Sequence, residues 1–292
     1  MRWTVPPEAD GQSVKLFLRT LGISSRTLRY LKDREGGITQ NGIPVTVRAI
    51  LHKGDELSLA LEDAPAVQEP AGQAPSGLVL YRDEHILVLN KPAGMPTHPS
   101  MGHHGDTLSD LVLAMEGAPS VFHAVNRLDR GTSGVVLVAR NRYAAAYLSR
   151  EMSEGRIRKE YLAAIERPIT PPEGEMQDGI TREEGSIIRR RVCPIGEGDL
   201  AVTEYKTLFV AADGKTLVRL FPKTGRTHQL RVQLAARGHP IIGDDLYGGA
   251  PLLSHQALHA AALTFLHPNG QEVTVKCDLP KDITEIFKKE SL

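Results

Sequence analysis

No stretch of this 292-residue chain approaches the roughly 18 consecutive apolar residues needed to span a bilayer, which excludes a helical membrane protein. The opening MRWTVPPEADGQ lacks the apolar core of a secretory signal. Cysteine is scarce. Cys193 and Cys277 are too few for a disulfide framework or a zinc ribbon, so two buried thiols in a reducing compartment are expected. Net charge is missing as well: 35 lysines and arginines balance 35 aspartates and glutamates. Whole-chain electrostatics therefore single out no partner, although a neutral protein can still bind nucleic acid if its basic groups gather on one face. These absences lead to the expectation of a cytoplasmic protein with no membrane partner.

What is present is the composition of an ordinary folded protein, 41% hydrophobic and 24% charged, at a length that suggests two domains. The sharpest break is DAPAVQEPAGQAPSG, residues 63–77, rich in alanine, proline and glycine and without hydrophobic period, hence a linker. It separates a small unit, 1–62, from a large one, 78–292. In the small unit Val14, Leu16, Phe17, Leu18 and Leu21 have near-helical spacing. A second helix follows over SSRTLRYLKDRE, with Leu28 and Leu31 inward and Arg26, Arg29 and Lys32 left on a basic edge. Short strands come next, turning at Asn41-Gly42. Two short helices with a basic edge before a small sheet resemble the α/β RNA-binding fold named after small-subunit ribosomal protein four. That resemblance makes Arg26, Arg29 and Lys32 candidate RNA contacts, where a merely solvated face is the plainer reading.

The large unit mixes strands and helices without a βαβ rhythm. LVLYRDEHILVLNKP reads as two strands, DTLSDLVLAME as a helix capped by Asp106 or Thr107, and GVVLVAR as a buried strand. NRYAAAYLSREMSEG is a helix ending at Gly155 and KEYLAAIE a strand. A hairpin turns at Asp213-Gly214, and THQLRVQLAARG is a helix stopped by Gly238. The fold class is α+β, with a mixed, mostly antiparallel curved sheet flanked by helices.

Chemistry concentrates in NRLDRGTSG, residues 126–134, where Asp129 lies between Arg127 and Arg130. An aspartate is ionised at neutral pH, and two neighbouring guanidinium groups would keep it so and orient it. Such a carboxylate serves as nucleophile, general base or metal ligand, the last disfavoured beside two cations. Taken alone, an ion pair at a loop corner is the plainer reading. Gly131, Ser133 and Gly134 remove bulk beside the acid, leaving room for a flat ligand or for backbone. His103 and His104 are adjacent, without the spaced partners a metal needs. The run IIRRRV, 187–192, reads as a solvated edge or a phosphate contact, the contact being preferred.

NKPAGMPTHPS (90–100), NRLDRGTSG (126–134), RKEYLAAIE (158–166), KTGRTHQLRVQLAARGHPIIGDDLYG (223–248) and ALHAAALTFLHP (257–268) follow one another in this order. Together they resemble the RluA-type family of pseudouridine synthases, from about Leu78 onward. The resemblance implies the pseudouridine synthase fold and an isomerase that detaches uracil from ribose in RNA and rejoins it through carbon. It implies Asp129 as the catalytic acid of the RLD motif, Tyr161 of K-x-Y and Arg231 of HQLR beside it, and Arg127 filling the space left by a flipped nucleotide. Arg226 and His228, from TGRTH, join the RNA-binding candidates, although a buried structural histidine is the plainer reading of His228.

The physics of base flipping suits these residue types. A uridine in folded RNA must leave its stack before an acid can reach it, at a few kcal/mol. A guanidinium can stack on bases and pair with phosphate. A tyrosine offers a flat face and a hydroxyl near the ring. The expected partner is RNA, ribosomal in preference to transfer RNA, bound by a monomer with no cofactor and no metal. Two departures from the family pattern, Asn126 and Gln233 where histidine is frequent, bear on substrate contacts or packing. The rivals are a catalytically silent RNA-binding factor on the same fold and a glycoside hydrolase. The latter needs a second carboxylate, for which Asp244 and Asp245 are the candidates.

Overall fold

The computed structural model describes residues 2–21, 23, 28, 31–32, 36–60, 76–99, 105–116 and 122–288. The linker assigned to 63–77 falls almost wholly outside the described residues, as do Arg26, Arg29, His103 and His104.

The N-terminal part forms a four-stranded sheet ordered β1 (Arg2–Thr4), β4 (Glu56–Leu59), β2 (Ile38–Gln40) and β3 (Ile43–Pro44), all antiparallel. Asn41 and Gly42 both take positive φ between β2 and β3, as a two-residue hairpin requires. Helix α1 (Val14–Thr20) starts where the Ser13 side chain accepts the amide of Leu16. Val14, Phe17 and Leu18 face the core with Leu28 and Leu31, while Leu16 is exposed rather than inward. One helical face of three residues per two turns suffices to cover so small a sheet.

The remainder is built on an 11-stranded sheet whose main path runs β11-β10-β12-β13-β9-β14-β8-β6-β5. It comprises β5 (Val79–Arg82), β6 (Ile86–Lys91), β8 (Ser133–Ala139), β9 (Arg158–Ile165), β10 (Glu173–Arg182), β11 (Arg190–Cys193), β12 (Asp199–Val210), β13 (Thr216–Pro222) and β14 (Leu258–Leu266). Two short strands, β7 (His123–Ala124) and β15 (Glu272–Lys276), pair with β8 and β14. Every pairing is antiparallel except β14 with β8. The expected mixed, mostly antiparallel sheet is therefore present, with helices α2 (Leu108–Glu116), α3 (Arg142–Ser153), α4 (Gln229–Ala236) and α5 (Lys281–Glu285) around it.

Strand β8 is buried at all seven positions, sandwiched between apolar clusters on both faces, so its sequence SGVVLVA runs apolar without alternation. Thr107 caps α2 by accepting the amide of Asp110, and Asn141 caps α3 by accepting that of Ala144. Helix α4 begins at Gln229 rather than at Thr227, because His228 holds a left-handed φ of 56° that helical residues do not adopt. The cysteines are free but half-buried, less enclosed than expected. No helix of the described residues is long and apolar enough to cross a membrane.

Candidate active site

The parallel contact between β8 and β14 fixes where the acid stands. Gly134 has a φ of 109°, and a Cβ there would overlap the carbonyl oxygen of Ala260 on β14. Only glycine lets β8 enter the sheet at that point. The loop just before it, 125–132, is held from several sides. Asn126 donates to the carbonyl of Val135 and accepts the amide of Leu137. Thr97 donates to the carbonyl of Leu128, and the amide of Thr132 closes a turn on the carbonyl of Asp129. Lys91, fully buried, donates to the carbonyls of Pro92, Met95 and Arg130. Burial pushes the Lys91 ammonium down to about 7, against the opposing pull of the Asp129 charge.

Glycine and serine beside the acid thus make room for protein rather than for ligand. Gly131 packs against the Gln256 side chain and Ser133 pairs with His259 at 2.8 Å.

The carboxylate of Asp129 is partnered from another element altogether. Arg231, from α4, places Nη1 at 3.0 Å from Asp129 Oδ2, and His228 Nε2 lies at 3.8 Å from the same oxygen. The two flanking arginines behave differently from the sequence expectation. Arg130 donates through Nε to the carbonyl of Gly94, and Arg127 is exposed on the rim. Side chains adjacent in an irregular loop diverge, whereas the interior of α4 presents a rigid donor.

Arg231 is itself fixed. Its Nε and Nη2 donate to the two oxygens of Asp244 at 2.7 and 2.8 Å, a bidentate pair in which Asp244 is 0% exposed. The Tyr247 ring lies 5.1 Å from the guanidinium carbon. With both oxygens committed to Arg231 inside the core, Asp244 is no water-activating carboxylate, which removes the pair a hydrolase would need from that position. Tyr247 also accepts the amide of Arg190 through its hydroxyl, 2.9 Å from His228 Nδ1. Burial lowers the pKa of His228, with the Asp129 charge acting in the opposite sense.

Tyr161 comes from the middle of β9 and packs against two apolar clusters. Burial, and then the charge of Asp129, raise its pKa, so it stays a neutral phenol. Asp129, Tyr161, Arg231, Arg127, Arg226 and His228 all line one cleft of about 510 Å³. Arg226 is exposed and donates Nε to the carbonyl of Leu200. Lys32, exposed in the N-terminal part, is not among the cleft's lining residues. IIRRRV splits: Ile187 and Ile188 are exposed, and Arg190 opens the edge strand β11.

Two residues, Lys159 and Tyr247, were not singled out from sequence, and a third, Asp244, was read only as a hydrolase's second carboxylate. Lys159 lines the cleft from β9, and Asp244 and Tyr247 anchor Arg231. Each lies inside a quoted motif, but only the topology makes them neighbours. Gln233, in α4, is fully buried and bonded to Asp178 and Thr203, so its departure from the family pattern concerns packing. Asn126 serves the loop in the same way. Among the described residues no group of three or more His, Cys, Asp or Glu side chains is arranged for a metal ion.

Residues 85–236 match the family described as RNA pseudouridylate synthase. An uncharacterized RNA pseudouridine synthase, YjbO of Bacillus subtilis, is 36% identical over 96% of this chain and 99% of its own length. The ribosomal large subunit pseudouridine synthase D of Xylella fastidiosa is 32% identical over 97% and 90%. Among solved structures, human RNA pseudouridylate synthase domain containing 4 is similar with a TM-score of 0.58 and 26% identity, over 70% of this chain and 90% of that one.

Proposed function

Since the chain belongs to the RNA pseudouridylate synthase family, whose members are isomerases converting uridine to pseudouridine in RNA, we propose that it isomerises specific uridines of ribosomal RNA with Asp129 as the catalytic carboxylate. The observation that carries this reading is the meeting of Asp129, Tyr161 and Arg231, distant in sequence, around a single cleft.

The reaction breaks the bond from ribose C1′ to uracil N1 and forms one from C1′ to C5. The C5 proton is lost and N1 gains one, so atoms balance without a co-reactant. Asp129, aimed by Arg231, faces the sugar or base as nucleophile or base. Tyr161 supports the uracil ring and lies where the C5 proton leaves; as a neutral phenol it takes that proton only in concert with passing its own on. Arg127, exposed on the rim, occupies the gap in the RNA stack. Arg226 and His228 line the approach.

The 1–62 unit, a ribosomal-protein-four-like module with Arg26, Arg29 and Lys32 on its basic edge, grips RNA outside the cleft; the 78–292 unit carries the chemistry. The ribosomal target is supported by the relative named for the large ribosomal subunit. The protein works as a cytoplasmic monomer without cofactor or metal.

The test is tritium release from RNA labelled at C5 of uracil, prepared from cells lacking the gene. Wild-type protein releases tritium and Asp129→Asn does not, while still retaining RNA. Full release by Asp129→Asn would sink the assignment. Mapping pseudouridines in the same RNA separates a ribosomal from a transfer RNA target.

A further inference from the structure

Lys159 precedes Tyr161 by two residues on β9, so the pleat puts both side chains on one face, toward the cleft. Glu160, between them, turns the other way and pairs with Arg219 at 2.9 Å. The Lys159 ammonium is half-buried and donates to the carbonyl of Thr224 at 3.1 Å. No carboxylate offsets its charge among the described residues, and burial alone holds it below the ordinary lysine value. Opposite it stands Gly225, where a Cβ would be 3.6 Å from Nζ. That is ordinary contact distance, so a branched side chain at 225 would lie over the ammonium.

Of the neighbouring cations, Lys223 has a carboxylate partner, while Arg226 is exposed to water. Lys223 pairs with Glu204 at 3.0 Å and Arg226 donates to Leu200. A half-buried cation without its own anion is costly, and a protein keeps one where a ligand supplies the charge. An ammonium that lines the cleft without a carboxylate of its own matches a phosphate oxygen.

We propose that Lys159 forms a phosphate contact that holds the phosphodiester of the nucleotide swung into the cleft. This rests on the functional reading above and adds the third point of attachment: the base at Tyr161, the sugar at Asp129, the phosphate at Lys159. Because the contact exists only after flipping, its loss falls on the turnover step more than on RNA affinity.

The direct test uses inorganic phosphate, 5′-uridine monophosphate and uridine as probes on full-length protein labelled with carbon-13 at lysine Cε. The Lys159 resonance, identified by its loss in Lys159→Arg, moves with phosphate and with the nucleotide at constant ionic strength, but not with uridine. Gly225→Val, which keeps the charge and covers the ammonium, abolishes the movement. A resonance that stays still, or that moves as far with uridine, overturns the subsite. In single-turnover assays Lys159→Met loses about tenfold to a hundredfold in rate, the effect of one charge-assisted hydrogen bond. Its KM for RNA stays near that of wild type, and Lys159→Arg restores most of the rate. A loss confined to KM also overturns it. Phosphate bound at Lys159 by a wild-type protein that forms no pseudouridine would refute the functional reading and leave the subsite standing.

Discussion

The floor and the rim of the cleft use the same side chain in opposite ways. On the floor, Arg231 has its side chain 7% exposed, with two nitrogens on Asp244, a third on Asp129 and Tyr247 against its face. On the rim, Arg127 and Arg226 are exposed, and Arg226 keeps one contact to a backbone carbonyl. A guanidinium locked on the floor offers a charge that need not reorganise when a reaction starts. One left free on the rim can follow a flexible polyanion. If the division is real, floor substitutions lower turnover or stability, and rim substitutions change affinity and its salt dependence.

The largest effect belongs to the floor's carboxylate. Asp129→Asn should lose at least about 10³-fold in single-turnover rate, as removal of a catalytic nucleophile or base does. RNA retention should change little. A rate within a few-fold of wild type would erase the distinction at its centre.

Asp244→Ala sharpens the contrast through stability. It leaves the Arg231 charge buried without its bidentate partner, which costs about 3–5 kcal/mol in urea unfolding. Arg226→Ala, on the rim, should stay within about 0.5 kcal/mol in the same experiment. Equal costs would mean that the buried pair is not what holds the floor.

Arg127→Ala addresses the rim by salt. Losing one phosphate contact lowers the slope of log affinity against log salt by about 0.7–0.9. Because Arg127 is also proposed to fill the stack, turnover falls as well, though less than for Asp129→Asn. An unchanged slope with unchanged turnover would take Arg127 out of RNA recognition.

How much of this was legible beforehand follows from which forces are local. The cap at Thr107, the Asn41-Gly42 turn, the apolar strand 133–139 and the helix stop at Gly238 are set by neighbours in sequence, and they were readable. Asp129 was legible as a charged residue at the mouth of a buried strand. Its partner was not: local pairing pointed to Arg127 and Arg130, while the ion pair comes from Arg231, 102 residues later. Only the resemblance to a family brought Arg231 forward. Asp244 read as an alternative catalytic acid, because burial and commitment to Arg231 are properties of packing. Lys159 went unremarked for the same reason; an unpaired lysine is ordinary on a surface and informative only inside a cleft.

The smallest effect lies where floor and rim meet, at His228. This residue starts α4 in a left-handed conformation, with Nδ1 at the Tyr247 hydroxyl and Nε2 facing Asp129. Burial lowers its pKa, Asp129 and Asp244 pull it up, and Arg231 and Arg190 push it further down. The folded value lies below the unfolded one near 6.5, so below that pH the unfolded chain binds more protons at this site. The stability it contributes is complete above about pH 6.5 and is lost as the pH falls toward the folded value, at no more than about 1.4 kcal/mol per pH unit. His228→Asn tolerates the same backbone conformation and carries no titrating ring. It should therefore unfold with a shallower loss of stability over that acidic window, and match the wild-type slope above it. Identical slopes in the two proteins across the window would show that His228 sits as freely as a rim residue, and would move the boundary of the fixed floor back to Arg231.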